Sequence, residues 1–255
     1  MLTPILFEGD NVTIMRLALM DASIDLTVTS PPYDNLRTYN GFTWDFEALA
    51  RELYRVTKPG GVVVWVVADA TIDGSETGSS FRQALYFKEC GFNLHDTMIW
   101  NKGAFSAVGA LQTRYAPVFE YMFVFSKDIP RVFNPIKDRV NKSFGRVKGG
   151  TIRLPEGTVK RMSNEGKPIA EYGQRFNVWE MSAEMNRNIG HPAPFPLPLA
   201  RDHILSWSNP GDTVLDPFLG SGTTGKMAAQ LGRKFIGIEI SSDYLKIARE
   251  RIGAV

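Results

Sequence analysis

Residues 62–67 read VVVWVV, an uninterrupted apolar run of six residues. A strand that is apolar on both faces is typical of a parallel sheet that is covered by helices on each side. The neighbouring sequence alternates in the same way between strand-like and helix-like stretches. Strand-like sequence occupies 23–30, 95–102 and 120–127, and helix-like periodicity occupies 46–58 and 80–90. This alternation predicts an α/β fold with a doubly wound sheet.

The alternation is interrupted once and then resumes. From residue 134 to about residue 175 the sequence is rich in Gly, Lys, Arg, Asn and Pro, which indicates little regular structure. The C-terminal part, from residue 194, again alternates apolar strand-like runs with amphipathic stretches. An insertion of about 40 residues is too short for a hydrophobic core of its own. We therefore expect one sheet that carries a small insertion.

Composition excludes several classes of protein. One cysteine, Cys90, excludes an internal disulfide framework, and three histidines with one cysteine provide no metal-ligand spacing, so no metal site is expected. Charge appears too early at the N-terminus for a signal peptide, and no apolar run approaches the roughly 20 residues of a membrane span. We expect a soluble, cytoplasmic protein. His95 and His203 have no motif around them and are interpreted as structural or solvated.

A glycine-rich loop follows the apolar strand TVLDPF. Gly220, Gly222 and Gly225 have the spacing G-x-G-x-x-G and lead into a helix. Glycines let a backbone approach a nucleotide closely, and an acidic residue after the next strand, here Glu239, can bind ribose hydroxyls. The spacing alone also fits a nicotinamide-dependent oxidoreductase. However, a dinucleotide fold usually opens with this loop, whereas here the loop lies near the C-terminus.

The second motif, TSPPY, covers Thr29 to Tyr33 and directly follows the strand SIDLTV. It therefore lies at the carboxyl end of a strand, where open α/β sheets bind ligands. TSPPY together with DPFLGSGTT resembles the paired motifs of the amino-DNA methyltransferases, and the order of the two motifs resembles the β class of that family. The resemblance implies a circularly permuted, Rossmann-like methyltransferase sheet. It implies a catalytic half at 1–130, a target-recognition insertion at 131–185 and a cofactor-binding half at 186–255.

The resemblance also implies S-adenosylmethionine as cofactor and a base flipped out of double-stranded DNA as substrate. Ser30 and a prolyl carbonyl would accept hydrogen bonds from the amino group of the base, and Pro31 and Pro32 would hold these acceptors rigidly. Tyr33 would stack on the base. The residues carried over as cofactor contacts are Asp10, Thr29, His191, Asp216, Phe218, Gly220, Ser221, Gly222, Thr223, Thr224 and Glu239. His191 opens an HPAPFP segment in which Phe195 replaces the lysine of the family pattern.

The insertion concentrates positive charge. Between Arg131 and Glu165 there are nine basic and three acidic residues, a local charge of +6, whereas the whole chain carries only +2. Such a segment suits contact with DNA phosphates and grooves. Phe144, Asn134 and Asn141 are candidates for base contacts. The expected DNA-binding residues are Lys137, Arg139, Lys142, Arg146, Lys148, Arg153 and Lys160.

Serine before PPY is more typical of relatives that methylate cytosine N4, and aspartate is more typical of those that methylate adenine N6. We expect cytosine N4, with adenine N6 as the alternative. A 5-cytosine mechanism would need a nucleophilic cysteine, but Cys90 in KECGF is interpreted as structural. RNA or protein methylation and a non-catalytic DNA-binding module stay open as rival functions. A homodimer and a separate restriction endonuclease are partners that the family resemblance leaves open.

Overall fold

The computed structural model describes most of the chain, namely residues 3–32, 44–103, 113–147, 149–162, 165–182 and 195–253. Internal contacts divide it into two compact units. The larger unit comprises Met1–Asn134 and Asn177–Val255, and the smaller unit comprises Pro135–Phe176. No helix in the described ranges is long and apolar enough to cross a membrane.

The larger unit contains six helices and ten strands among the described residues. The helices are α1 (Asn11–Ala18), α2 (Phe46–Val56), α3 (Ser79–Glu89), α4 (Leu197–Trp207), α5 (Thr223–Gln230) and α6 (Ser242–Gly253). The first strands are β1 (Ile5–Glu8), β2 (Ile24–Thr29), β3 (Thr57–Val67), β4 (Thr71–Ile72), β5 (Ser75–Glu76), β6 (Asn93–Asn101) and β7 (Phe119–Ser126). After the strands β8 to β11 of the smaller unit come β12 (Val178–Glu180), β13 (Thr213–Asp216) and β14 (Lys234–Glu239).

Eight of these strands form one sheet in the order β1-β14-β13-β2-β3-β7-β6-β12. Seven strands share one direction, and β7 runs antiparallel to both of its neighbours. The strands and helices that the sequence alternation predicted are present, and the predicted α/β sheet is confirmed. The direction of β7 was not predicted.

Both faces of the sheet are covered by helices, as the VVVWVV run indicated. Val62, Val64 and Val66 pack into the core on the face of α4, α5 and α6. Val63, Trp65 and Val67 pack into the core on the face of α1, α2 and α3. Successive side chains of a strand point to opposite faces, so a strand between two helical layers must be apolar at every position.

Local sequence explains where the helices begin. The Asp45 carboxylate accepts the backbone N–H of Ala48 at 3.0 Å and caps α2. Leu49, Leu53 and Val56 then follow at helical spacing and are fully buried. Helix α5 begins directly after Gly222, whose φ of +81° lies in the left-handed region. The glycine motif thus marks a sharp turn from strand to helix.

The strand order creates one switch point. From β13 the chain proceeds through α5 to β14 on one side, whereas β2 is followed by β3 on the other side. The adjacent strands β13 and β2 are parallel, so their carboxyl ends meet at the same edge of the sheet. Open α/β sheets bind ligands at such a point. The sheet therefore brings the residues after Thr29 next to those after Asp216.

The smaller unit has two antiparallel strand pairs. β8 (Arg139–Val140) pairs with β11 (Tyr172–Gly173), and β9 (Thr151–Arg153) pairs with β10 (Val159–Arg161). The smaller unit is shorter than the predicted insertion of 131–185 at both ends. Before it, Arg131 forms an ion pair with buried Asp25 of the large sheet. After it, β12 belongs to the large sheet, where it pairs with β6.

Candidate active site

The two sequence motifs are joined by a buried hydrogen bond. The Thr29 hydroxyl, at the end of β2, donates to the Asp216 carboxylate, at the end of β13, over 2.7 Å. The Thr224 hydroxyl donates to the carbonyl of Val28 at 3.1 Å, which ties α5 to the same strand. Thr29 and Thr224 are fully buried. The segments that the sequence separates by 187 residues therefore form one polar junction at the edge of the sheet.

Asp216 is the most perturbed acid of this junction. Burial raises its pKa to about 6, although hydrogen bonds from the Thr29 hydroxyl and from the backbone N–H of Phe218 favour the charged form. Desolvation disfavours a buried carboxylate more than these two donors stabilise it. The carboxyl group consequently titrates close to neutral pH.

Ser30, Pro31 and Pro32 leave the sheet directly after Thr29. Pro31 is buried, and Ser30 and Pro32 are half-buried. Proline has a fixed φ and no N–H, so this step holds its carbonyl acceptors in a stiff backbone. Tyr33, the last residue of the predicted catalytic motif, lies outside the described residues.

The glycine loop turns tightly between β13 and α5. Gly220 and Gly222 have φ values of +50° and +81°. The backbone N–H of Gly222 donates to Leu219 O at 2.8 Å. A Cβ atom at Gly222 would lie 3.0 Å from the Cβ of Ala248 in α6, so the loop also packs closely on that helix. Ser221, Thr223 and Thr224 of the loop are buried.

Arg251, near the end of α6, forms hydrogen bonds to Ser221 of this loop. Its Nη1 donates to Ser221 O at 2.6 Å and to Ser221 Oγ at 2.5 Å. Two hydrogen bonds from a charged donor to one residue restrain both its backbone and its side chain. No sequence signal indicated this role, because Arg251 lies 30 residues from its partner in an ordinary amphipathic helix.

Glu239 ends β14 and lies beside the same loop. Its Oε2 accepts the N–H of Gly220 at 2.8 Å, and its Oε1 accepts the N–H of Ser241 at 2.9 Å. Burial raises its pKa above the usual value, while these backbone N–H groups oppose the shift. Each carboxylate oxygen retains a second acceptor position, which a hydroxyl could use.

Asp10 and Asn11 follow β1 at the same edge. Asp10 is exposed and caps α1 by accepting the N–H of Thr13 at 2.8 Å. Asn11 is buried, and its Nδ2 donates to Pro217 O at 3.3 Å. Within the described residues its buried Oδ1 has no hydrogen-bond partner. Asn11 was not predicted as a site residue, although it directly follows Asp10 in the sequence.

Phe218 belongs to an aromatic cluster below the glycine loop. Its ring centroid lies 5.0 Å from that of Trp44 and 6.3 Å from that of Trp65, both in edge-to-face geometry. Phe218 is only half-buried, so part of its ring stays accessible. His191, the remaining predicted cofactor contact, lies outside the described residues.

These residues fit an adenosyl group. An exposed part of an aromatic ring, a carboxylate with spare acceptor positions and a buried amide oxygen without a partner are suited to an adenine, ribose hydroxyls and an amino group. The tight glycine turn leaves room for close approach of the ligand. No group of three or more His, Cys, Asp or Glu side chains converges on a metal site in the described part of the chain.

The predicted DNA-binding residues lie in the smaller unit. That unit has ten basic and four acidic residues, a formal charge of +6, whereas the rest of the chain carries −4. Lys148 is outside the described residues, and Arg139 is half-buried. The exposed ones are Lys137, Lys142, Arg146, Arg153 and Lys160.

The three candidates for base contacts have different surroundings. Asn134 is exposed, and its Nδ2 donates to the carbonyls of Leu205 and Ser208, at 3.1 and 3.3 Å, which anchors the chain to the end of α4. Asn141 belongs to the smaller unit, where its Nδ2 donates to Ala170 O at 2.9 Å. Phe144 is exposed in that unit.

An open sheet of this strand order with a glycine loop at its switch point defines a Rossmann-like methyltransferase that depends on S-adenosylmethionine. Residues 24–250 match the family model described as DNA methylase, and the chain belongs to that family of N4 and N6 amino-methylases. The protein is therefore a DNA methyltransferase.

Three known proteins illustrate the similarity. The orphan methyltransferase M.BamHII of Bacillus amyloliquefaciens is 54% identical over 246 residues, which cover 93% of this chain and 92% of that protein. The DNA adenine methyltransferase YhdJ of Escherichia coli K12 is 30% identical and covers 90% and 76%, respectively. A candidate DNA modification methylase of Thermus thermophilus, solved with S-adenosyl-L-methionine, has a TM-score of 0.69 at 27% identity and covers 99% and 94%.

Proposed function

We propose that this enzyme methylates the N4 amino group of a cytosine flipped out of double-stranded DNA, with Ser30 and the Pro31 carbonyl as the groups that contact the reacting nitrogen. The observation that carries the proposal is the hydrogen bond from Thr29 to Asp216, which fixes the catalytic segment against the cofactor loop. S-adenosylmethionine, when bound, supplies an electrophilic methyl group. Every other contribution comes from the positioning of groups on the protein.

An exocyclic amino nitrogen is a weak nucleophile because its lone pair is delocalised into the ring. Ser30 Oγ and the Pro31 carbonyl each accept a hydrogen bond from one amino proton. These two acceptors favour a pyramidal nitrogen whose lone pair is directed away from the ring. The rigid Pro31–Pro32 backbone keeps the acceptors in place, so they need no reorganisation during the reaction.

The proton balance of the reaction requires no strong base. With S-adenosylmethionine bound, the methyl carbon would leave the sulfonium sulfur as a neutral thioether and bond to the nitrogen, which would thereby acquire a positive charge and acidic amino protons. Ser30 Oγ accepts one of these protons in a hydrogen bond and relays it to water after methyl transfer. The titrating Asp216 stays structural in this scheme, because it is buried and already accepts hydrogen bonds from Thr29 and Phe218.

The smaller unit is the proposed DNA-binding surface, and we infer that the enzyme acts in the cytoplasm on duplex DNA. The smaller unit carries a formal charge of +6, whereas the remainder of the chain carries −4. Exposed lysine and arginine side chains bind phosphates without sequence preference, and binding weakens as salt rises. The name of M.BamHII as an orphan enzyme favours action without a paired restriction endonuclease.

Serine at position 30 supports cytosine as the target base, by the resemblance of SPPY to the motif of N4 methylases. Adenine N6 is the second candidate, because YhdJ, at 30% identity, is named a DNA adenine methyltransferase. Both reactions would use the same two acceptors at the same edge of the sheet. The product, rather than the rate, therefore distinguishes them.

The decisive experiment is nucleoside analysis of duplex DNA of mixed sequence after incubation with labelled S-adenosylmethionine. Wild type should yield labelled N4-methylcytosine, and Ser30→Ala should lower kcat by about a hundredfold, the scale of one lost positioned group. Label in N6-methyladenine would keep the mechanism and overturn the choice of base. Absence of label in DNA would contradict the proposed substrate.

Cys90→Ala is the matched control. Cys90 follows the last residue of α3, just before β6 begins, at the edge of the sheet opposite to the candidate active site. Burial raises the pKa of its thiol. A raised pKa and a remote position make it a poor nucleophile. This variant should keep wild-type activity, whereas loss of activity together with label at cytosine C5 would indicate a different reaction.

A further inference from the structure

The smaller unit contains a groove that the catalytic scheme does not use. The groove has a volume of about 770 Å³ and lies between the segment around β8 and the segment around β11. Its lining combines two cations, amide and hydroxyl groups with aromatic side chains. The lining residues that matter below are Arg139, Asn141, Lys142, Tyr172, Gln174 and Phe176.

Arg139 is held in one orientation within this groove. Its Nε donates to Gln174 O at 3.0 Å, and its guanidinium carbon lies 4.5 Å from the centroid of the Phe176 ring. Gly173 pairs with Arg139 across the two strands, and a Cβ atom at Gly173 would collide with Nη2 of that arginine. A backbone acceptor, an aromatic face and the missing side chain together restrict the guanidinium plane.

The chemistry of a fixed arginine differs from that of a mobile lysine. With Nε occupied by Gln174, the four remaining N–H groups of Arg139 are on Nη1 and Nη2. These two nitrogens present parallel donors, which match paired acceptors such as O6 and N7 of guanine. A side chain that is already oriented loses less entropy when it binds.

The other cations of the smaller unit are arranged differently. Arg175 is neutralised by Asp138, whose carboxylate accepts from Nε at 3.1 and 3.0 Å. Lys142 and Lys160 are exposed, and a flexible lysine head can follow a phosphate without selecting a base. Two exposed aromatic residues, Tyr172 and Phe176, line the groove with the arginine and could pack against a base or a thymine methyl group.

We propose that Arg139 reads one guanine of the recognition sequence through paired hydrogen bonds to O6 and N7, with Phe176 as the residue that positions its guanidinium. The inference rests on the proposed function, since it assumes that the smaller unit binds duplex DNA. It divides the predicted DNA-binding residues into a base reader, Arg139, and phosphate contacts, of which Lys160 is the clearest.

The test compares methylation patterns of the full-length enzyme variants on plasmid DNA, read base by base. Wild type first defines the preferred sequence. Arg139→Gln should reduce discrimination at one G·C pair by about tenfold or more, with the other positions unchanged. Phe176→Leu should relax the same position in part, and Phe176→Tyr should retain it. Thermal unfolding of each variant verifies that the chain is folded.

Lys160→Gln is the matched control, because it also removes one cation from the unit. It should weaken binding to all sequences alike and reduce the slope of log affinity against log salt by about 1. If Arg139→Gln behaves in that manner, or changes nothing, base reading by Arg139 is overturned. If wild type itself methylates no DNA, the proposed function fails instead, so the two failures are distinct.

Discussion

At the carboxyl edge of the large sheet, polar side chains are buried and bonded across the fold, whereas most of the described cations of the smaller unit are exposed. Thr29, Thr224 and Asp216 have 5% exposure or less and bond to partners almost 200 residues away. The predicted DNA-binding residues of the smaller unit lie in short strands and turns whose bonds span about 40 residues or fewer. Arg139, one of these predicted residues, and Arg175 are half-buried.

The difference reflects what each region has to do. Methyl transfer requires fixed distances, and a buried hydrogen bond that cannot be replaced by water fixes them. Attraction to a polyanion depends on charge and exposure, so it tolerates mobile side chains. The same kind of substitution should therefore have a large effect at the sheet edge and a small one in the smaller unit.

A matched pair of glycine substitutions gives the largest expected contrast. Gly222 and Gly157 both have a left-handed backbone, with φ of +81° and +88°, so alanine adds about 1 kcal/mol of backbone strain at either position. At Gly222 the new Cβ would also lie 3.0 Å from Ala248, whereas nothing lies within 4 Å of it at Gly157.

We expect Gly222→Ala to lower the free energy of unfolding by roughly 2–4 kcal/mol, because overpacking adds to strain. Affinity for S-adenosylmethionine should fall by more than about tenfold, since the loop shifts. Gly157→Ala should cost about 1 kcal/mol and leave cofactor affinity unchanged. Denaturant unfolding and equilibrium binding measure both effects, and equal losses for the two variants would remove the contrast.

Predictability from sequence follows the same division. The main strands and helices between residues 23 and 127 and after residue 194, and the glycine turn, were predictable, because periodicity and turn residues are local signals, whereas β1, α1 and β12 were not predicted. The antiparallel direction of β7 and the contacts of Arg251 and Asn11 were not, since each depends on a partner distant in sequence. The contacts of Asn134 with the end of α4 were not predicted either, because they too depend on residues distant in sequence.

The second prediction concerns pH and the buried carboxyl of Asp216. Its pKa is raised from 3.8 to about 6 in the folded state, so the folded protein binds this proton more tightly than the unfolded chain does. Acid therefore favours folding through this group, and its contribution is lost as pH rises through about 6. The shift corresponds to about 3 kcal/mol between pH 3, below both pKa values, and pH 7.

Asp216→Asn removes the titration and retains an oxygen that can accept from Thr29 and Phe218. The difference in unfolding free energy between wild type and this variant should change by about 3 kcal/mol over that pH range, with wild type losing relative stability as pH rises. Asp138→Asn in the smaller unit is the control. The pKa of Asp138 is lowered by Arg175, so its difference curve should slope the opposite way, and only weakly because the pair is exposed. A flat curve for Asp216→Asn would contradict the assigned burial.

The smallest expected effect tests whether α6 positions the cofactor loop. Arg251→Met removes both hydrogen bonds to Ser221, while Arg249→Met removes an exposed arginine two residues away on the same helix. A lost hydrogen bond from a charged donor is worth about 1.5 kcal/mol, so KM for S-adenosylmethionine should rise about tenfold with kcat nearly unchanged. Arg251→Lys should recover part of that loss. A change in melting temperature alone, or the same KM in both methionine variants, would show that Arg251 supports the fold and not the loop.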